Sequence, residues 1–173
     1  MLWFFQLCAK ASKIASALEE ARYSNKRAQA VAEFDKFCSD VSLSSAPQVL
    51  TTRGFKWRAD PIHGLLDYVS TPWVTWLKQC GDCDDFARLY LEIAKKQGIL
   101  GGYCFSALKI SFPRPKGHAV FIRPMTNSLN VFSNLGPSNL YSTEPEIATA
   151  FVPGWTHAFA YDENMKIERM LKA

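Results

Sequence analysis

The sequence predicts an α+β fold, with helices first and an antiparallel sheet second. Three observations carry that reading. Residues 5–38 contain no Gly or Pro and repeat small apolar residues every seven positions. Residues 83–98 hold a helical stripe that closes on a glycine. Beyond Gly98 the pattern turns to aromatic and β-branched runs broken by Pro, Gly and Asn. The 173 residues amount to one domain, read as an N-terminal helical segment over 1–40 and a main body over 41–173.

The elements follow in order. Leu7, Ile14, Ala21 and Ala28 form one row of the first helical stretch, with Ala11, Leu18 and Ala32 beside it. That seam is mostly Ala, which favours packing on the body over a coiled coil. Tyr23-Ser24-Asn25 reads as a break between two helices. Residues 42–47 read as a loop and 48–52 as a short strand. Asp60-Pro61 and His63-Gly64 punctuate the next stretch. Thr71-Pro72 starts a helix with Pro at its first position and Trp73, Trp76 and Leu77 on one face, expected to run to Gly81. Asp82 is the expected N-cap of the next helix, with Asp85 as capping-box partner. Phe86, Leu89, Tyr90, Ile93 and Ala94 make its stripe, Lys95 and Lys96 suit its last turn, and Gly98 stops it. Residues 103–112, 117–123 and 128–133 read as strands. Residues 144–151 read as a short helix, and 155–161 with 165–170 as a last hairpin.

Composition narrows the function classes. Apolar residues are 48% and charged residues 21%, which excludes a disordered or low-complexity chain. The net charge of +4 is too small and too dispersed to indicate nucleic acid. The apolar start, residues 1–9, stops at Lys10 and has no basic region before it, so it is read as a helix start, not a secretory signal. It is also shorter than the roughly 20 apolar residues a membrane span needs. The five cysteines, an odd number, read as reduced thiols, which points to a cytoplasmic setting. Neither the oligomeric state nor the pathway is legible.

The chemistry concentrates in Cys80-Gly81-Asp82-Cys83-Asp84-Asp85-Phe86-Ala87. Cys83 falls in the first turn of a helix, where backbone N–H groups and the dipole favour a thiolate. A thiolate attacks carbonyls, and the same N–H groups can hold the oxyanion that forms. The flanking carboxylates oppose the thiolate, so a cationic partner is required, and histidine is the usual one. Of His63, His118 and His157, the best placed is His118, opening a strand on the sheet that packs on the Cys83 helix. If the strands at 117–123 and 128–134 turn between Met125 and Thr126, His118 faces Ser133, and a slip of one brings Asn134 opposite. Asn134 is the chemically better partner, because its amide oxygen accepts from an imidazole N–H.

These residues resemble the transglutaminase-like superfamily of papain-related cysteine enzymes, most of all its bacterial transglutaminase-like cysteine proteinases. The resemblance rests on Gly81-Asp82-Cys83-Asp84-Asp85-Phe86-Ala87, Gly98-Ile99, Gly117-His118-Ala119-Val120 and Val131-Phe132-Ser133-Asn134-Leu135. It implies a papain-like core with a catalytic helix on an antiparallel sheet. It also implies a triad of Cys83, His118 and a third group. The usual Asp of that third position is Ser133 here, and Asn134 follows it. The expected activity is acyl transfer on amide bonds through a Cys83 thioester, with a peptide or protein substrate and no cofactor. Amine transfer and a non-catalytic binding module with the same fold are the alternatives.

Other readings of single residues stay beside this one. Trp73, Trp76 and Gln79 are candidates for the substrate groove or the second oxyanion donor. Cys80 and Cys83 form a Cys-x-x-Cys, but no second such pair supports zinc with Cys104 and His118. Asp82, Asp84 and Asp85 read as capping and solvated charge in preference to a calcium site, so no metal is expected. Lys109, Arg114, Lys116 and Arg123 read as a solvated basic loop, His157 as part of a packed sheet face, and Cys8, Cys38 and Cys104 as small buried hydrophobes.

Overall fold

The computed structural model describes residues 14–59, 69–111, 115–162 and 164–173. Residues 1–13 and 60–68 lie outside the described residues, and with them Cys8, the Asp60-Pro61 turn and His63. The described chain begins with helix α1 (14–23), a 3₁₀ turn (Ser24–Lys26) and α2 (Arg27–Asp40). The turn falls at the expected break. Helix α2 buries Ala30, Phe34, Phe37 and Cys38.

Residues Ala46–Thr52, expected as a strand in part, form helix α3. Pro47 occupies its first turn, and Ala46, Pro47 and Leu50 are buried. The hydroxyls of Thr51 and Thr52 bond back to the carbonyls of Pro47 and Gln48, four residues earlier. Those local bonds offset the β-branched character that pointed to a strand. A two-residue strand β1 (Lys56–Trp57) follows, and then α4 (Pro72–Lys78), which starts at Thr71-Pro72 as expected, though the Thr71 side chain makes no capping bond. Helix α4 ends at Lys78, three residues short of the expected Gly81, because Gln79 turns left-handed at φ 52°. This frees Cys80–Gly81 to form β2, which pairs parallel with β1.

Helix α5 (Cys83–Lys96) is strongly amphipathic and buries Phe86, Leu89, Tyr90, Ile93 and Ala94. Gly98, at φ +69°, ends it in the left-handed conformation that glycine adopts without steric cost. Strands β3 (Tyr103–Lys109), β4 (Lys116–Pro124), β5 (Leu129–Phe132) and β6 (Asn139–Tyr141) come next. Helix α6 (Glu144–Phe151) and the hairpin β7 (His157–Tyr161) and β8 (Ile167–Lys172) complete the chain. The sheet order is β6-β5-β4-β3-β7-β8, antiparallel throughout.

Alternation along the strands divides the core in two. Cys104, Ala119, Phe121 and Phe132 face α2, α4 and α5. Phe105, Ala107, Val120, Ile122, Val131, Ala158 and Ala160 face Ile147 and Ala148 of α6. The architecture is therefore α+β, with a helical layer on one face of the sheet and α6 on the other.

Candidate active site

Cys83 is the first residue of α5, half-buried at the edge of the helical core. Asp82 holds the N-cap position with extended backbone, but its side chain makes no capping bond. Its carboxylate is buried, and Oδ1 lacks a hydrogen-bond partner. Asp85 does not close a capping box either. It is 1% exposed, and its Oδ1 accepts from the backbone N–H of Ser70 at 2.6 Å. The Ser70 hydroxyl donates to Glu19 at 2.7 Å, and Glu19 pairs with Lys78 at 2.6 Å. One polar network thus ties α1, the segment before α4, the end of α4 and the start of α5. The expectation of capping plus solvated charge for these aspartates gives way, since Asp82 and Asp85 are buried and Asp85 is committed to Ser70. Among the described residues, Asp82, Asp84 and Asp85 present carboxylate oxygens within 4.8 Å of one another, a donor set suited to a hard divalent cation.

His118 stands near the start of β4, half-buried. Its Nε2 lies 2.7 Å from Ser133 Oγ. The Phe151 ring, from the end of α6, stacks on the imidazole at 4.9 Å and 18°. Burial holds the imidazole below its ordinary pKa of 6.5, and the charge of Asp82 opposes that shift. The start of α5 therefore lies within electrostatic reach of the ring. With Nε2 occupied, Nδ1 is the nitrogen left to serve a thiol. His118 shares the α6 side of the sheet with Val120 and Ile122, whereas the body of α5 packs on the opposite side. Cys83 packs at the edge of the core on the α5 side, so the thiol and the ring do not share a face of the sheet.

The register differs from the expectation by two residues. The turn is Met125–Ser128, closed by Met125 N–H to Ser128 O at 2.8 Å. Phe121 pairs with Phe132 and Ile122 with Val131. A slip of two preserves the face, so Ser133 meets His118 diagonally. Asn134 is in the left-handed region at φ 45°, its carbonyl accepts from Tyr90 Oη at 2.5 Å, and its Oδ1 is buried without a partner. Burial pushes the Tyr90 phenol up, so it stays a donor. The geometry gives the ring a hydroxyl at Ser133 and no contact with the Asn134 amide.

Trp73 and Trp76 lie in the core at 7% and 6% exposed, Trp76 among Phe34, Phe37 and Phe55. Gln79 is exposed, and its carbonyl accepts from Lys56 N–H at 2.9 Å. Cys38 and Cys104 are buried, their thiols pushed up to about 12 by desolvation. His157 stacks against Phe159 on the face opposite His118. Lys109 and Lys116 are cross-strand partners beside the His118 end of β4. A shallow apolar depression on α6, lined by Tyr141, Pro145, Glu146, Thr149 and Ala150, contains none of these groups. Sequence reasoning missed Phe151 and Ser70. Both contacts bridge segments distant in sequence, and no local pattern marks them.

No protein-family model and no curated protein matches this chain. Solved structures do. Legionella pneumophila LapG is similar at 16% identity and a TM-score of 0.50, with 93% of this chain and 88% of that one covered. An EGTA-treated form of LapG from the same organism gives 17% identity and 0.49, covering 88% of this chain and 81% of that one. A calcium-bound form gives 14% and 0.48, covering 97% and 87%. At such identities the likeness speaks to fold alone, and the first of these matches supports a papain-like α+β fold for this chain.

Proposed function

We propose that this chain is a cysteine-dependent acyl-transfer enzyme that hydrolyses peptide or isopeptide amide bonds. The observation that carries the proposal is the state of His118. One ring nitrogen is engaged by Ser133 and one ring face is covered by Phe151, near a helix start that presents Cys83. Nδ1 takes the Cys83 proton as the sulfur attacks the substrate carbonyl. Backbone N–H groups of the first turn of α5 hold the oxyanion. The imidazolium returns its proton to the leaving amine as the thioester forms. Water, activated by the same nitrogen, then attacks the thioester and releases the acid and Cys83. An amine in place of that water gives the transferase variant of the reaction.

Ser133 sets the efficiency of this arrangement. A carboxylate at that position would fix the Nδ1-basic tautomer and stabilise the imidazolium. A hydroxyl can accept from Nε2–H or donate to Nε2, so it orients the ring without adding charge. That difference also favours the second reading, a non-catalytic module. The test is an electrophile screen on the whole chain, with Cys83→Ala as control. Cys83 is expected to alkylate with iodoacetamide faster than a free thiol, and His118→Ala is expected to remove the excess. Labelling at the rate of a free thiol, unchanged by His118→Ala, would sink the enzyme reading.

A further inference from the structure

Ser133, the residue bonded to the His118 ring, has both of its neighbours held by one side chain of α5. The Tyr90 ring packs on Phe132, the residue before it, with centroids 5.6 Å apart. The Tyr90 hydroxyl donates to the carbonyl of Asn134, the residue after it, at 2.5 Å. Tyr90 and Phe132 are both fully buried in the helical layer. Ser133 itself lies just past the end of β5 and opens a turn, its carbonyl accepting from Gly136 N–H at 3.1 Å. Asn134, inside that turn, is left-handed at φ 45°, a region that residues other than glycine enter seldom and keep only where their surroundings fix them. Alternation turns Phe132 toward α5 and Ser133 toward His118, so Tyr90 reaches from the helix side the backbone on either side of a residue that acts on the other.

We infer that Tyr90 is a positioning residue for the base: its hydroxyl holds the turn at Ser133 so that Ser133 Oγ stays on His118 Nε2. The inference rests on the hydrolase reading for its purpose, since that reading makes Nδ1 the basic nitrogen and gives Nε2–H to Ser133. Cys83 opens the same helix about two turns earlier. One rigid element therefore presents the thiol at its start and steadies the imidazole through its middle, although the ring lies beyond the sheet. Without the hydroxyl, the Asn134 carbonyl is released, the turn loosens and Ser133 Oγ leaves the ring. The imidazole then has no fixed acceptor, and its proton is shared between the two nitrogens.

The test is NMR on the isotope-labelled full chain, at a pH where the ring is neutral, with the nitrogen shifts of His118 reporting which ring nitrogen carries the proton. In the parent, Nε2 is expected to read as protonated and Nδ1 as bare. Tyr90→Phe keeps the ring on Phe132 and removes only the hydroxyl. It is expected to draw the two shifts together, as Ser133→Ala does. In a chain already carrying Ser133→Ala, Tyr90→Phe is expected to add nothing to the His118 shifts, because its effect passes through Ser133. Cys83 alkylation by iodoacetamide is expected to slow roughly threefold on Tyr90→Phe in the parent and not at all in the Ser133→Ala background. The His157 ring, on the other face of the sheet, is expected to keep its parent shifts throughout and so to report any general loosening. Parent-like His118 shifts in Tyr90→Phe, equal changes in both backgrounds, or a His157 ring that moves together with His118 would overturn the inference. The ring shifts are read whether or not the thiol is reactive. A Cys83 that labels at the free-thiol rate in the parent therefore sinks the hydrolase reading alone, and the shifts still decide whether Tyr90 holds the ring.

Discussion

At the scale of single residues, His118 concentrates the question of activity. Its ring is desolvated, its Nε2 has a neutral partner, and the nearest acting charge, Asp82, belongs to the nucleophile's own segment. Ser133→Asp should therefore raise the His118 pKa, because a carboxylate at hydrogen-bond distance favours the imidazolium. The acid limb of the Cys83 alkylation profile should move to higher pH with it, and the rate at neutral pH should rise severalfold. Ser133→Ala should cost the hydrogen bond, about 1 kcal/mol, or roughly fivefold in rate. If both variants alkylate like the parent, Ser133 is not a positioning residue. Phe151→Ala should also raise the His118 pKa by admitting water to the ring, which a histidine-resolved NMR titration reads directly. Stability carries the same signature. The unfolded ring binds a proton near 6.5, and the folded ring binds it only at lower pH. Stability from the neutral ring is thus full above 6.5 and lost as pH falls through the folded value. Between pH 7 and 5 the parent should lose more thermal stability than His118→Gln, and parallel curves would refute the assignment.

At the scale of elements, the start of α5 is held by contacts that leave no spare room. A Cβ on Gly81 would stand 2.6 Å from Asp85 Cβ and Oδ2, so the close approach itself requires glycine there. Gly81→Ala should displace Asp85 from Ser70 and cost about 1–3 kcal/mol, measured by urea unfolding. Asp85→Ala should cost about 2–3 kcal/mol by stranding the buried Ser70 N–H, whereas Asp85→Asn, whose amide oxygen still accepts, should cost about 1. Equal losses in the two Asp85 variants would mean that packing, not the hydrogen bond, decides. What the sequence makes legible here follows from the range of the forces. The stripe of α5 and its glycine stop are local, as is the Thr71-Pro72 start of α4, and each is written in adjacent residues. The strand pair β1–β2 is not, since two-residue strands have no periodicity to read. The partner of Asp85 is not legible either, because a carboxylate three residues past an N-cap looks the same whether it bonds back to the cap or away to Ser70. At the site, Cys83 and His118 stand out by residue type and position. The choice between Ser133 and Asn134 turns on a hairpin register that sequence leaves free by one or two residues.

At the scale of the whole molecule, an aromatic cluster in the helical layer spans the proposed boundary at residue 40. Trp76 packs against Phe37 at 4.9 Å, Phe34 at 5.4 Å and Phe55 at 5.5 Å. The guanidinium of Arg53 lies over both Trp76 and Phe37. Two of the three phenyl rings come from α2, so the face of α4 nearest the nucleophile segment is completed by the N-terminal helices. Trp76→Ala should cost about 3–5 kcal/mol, a large part of the 5–15 kcal/mol that stabilises a typical domain. Removing residues 1–40 takes more. It strips Ala30, Phe34, Phe37 and Cys38 from the shared core and leaves Lys78 without Glu19. The shortened chain keeps the sheet and α6, whose core lies on the other face and involves no residue of α2. It should therefore retain far-UV dichroism, lose near-UV dichroism from its tryptophans and unfold without a sharp transition. Cys83 labelling by iodoacetamide should fall to the rate of a free thiol in the same preparation, because the α4–α5 junction loses its support. A cooperative melt within a few degrees of the intact chain, with Cys83 labelling intact, would show that 41–173 folds alone and that the helices before it are an addition to the fold.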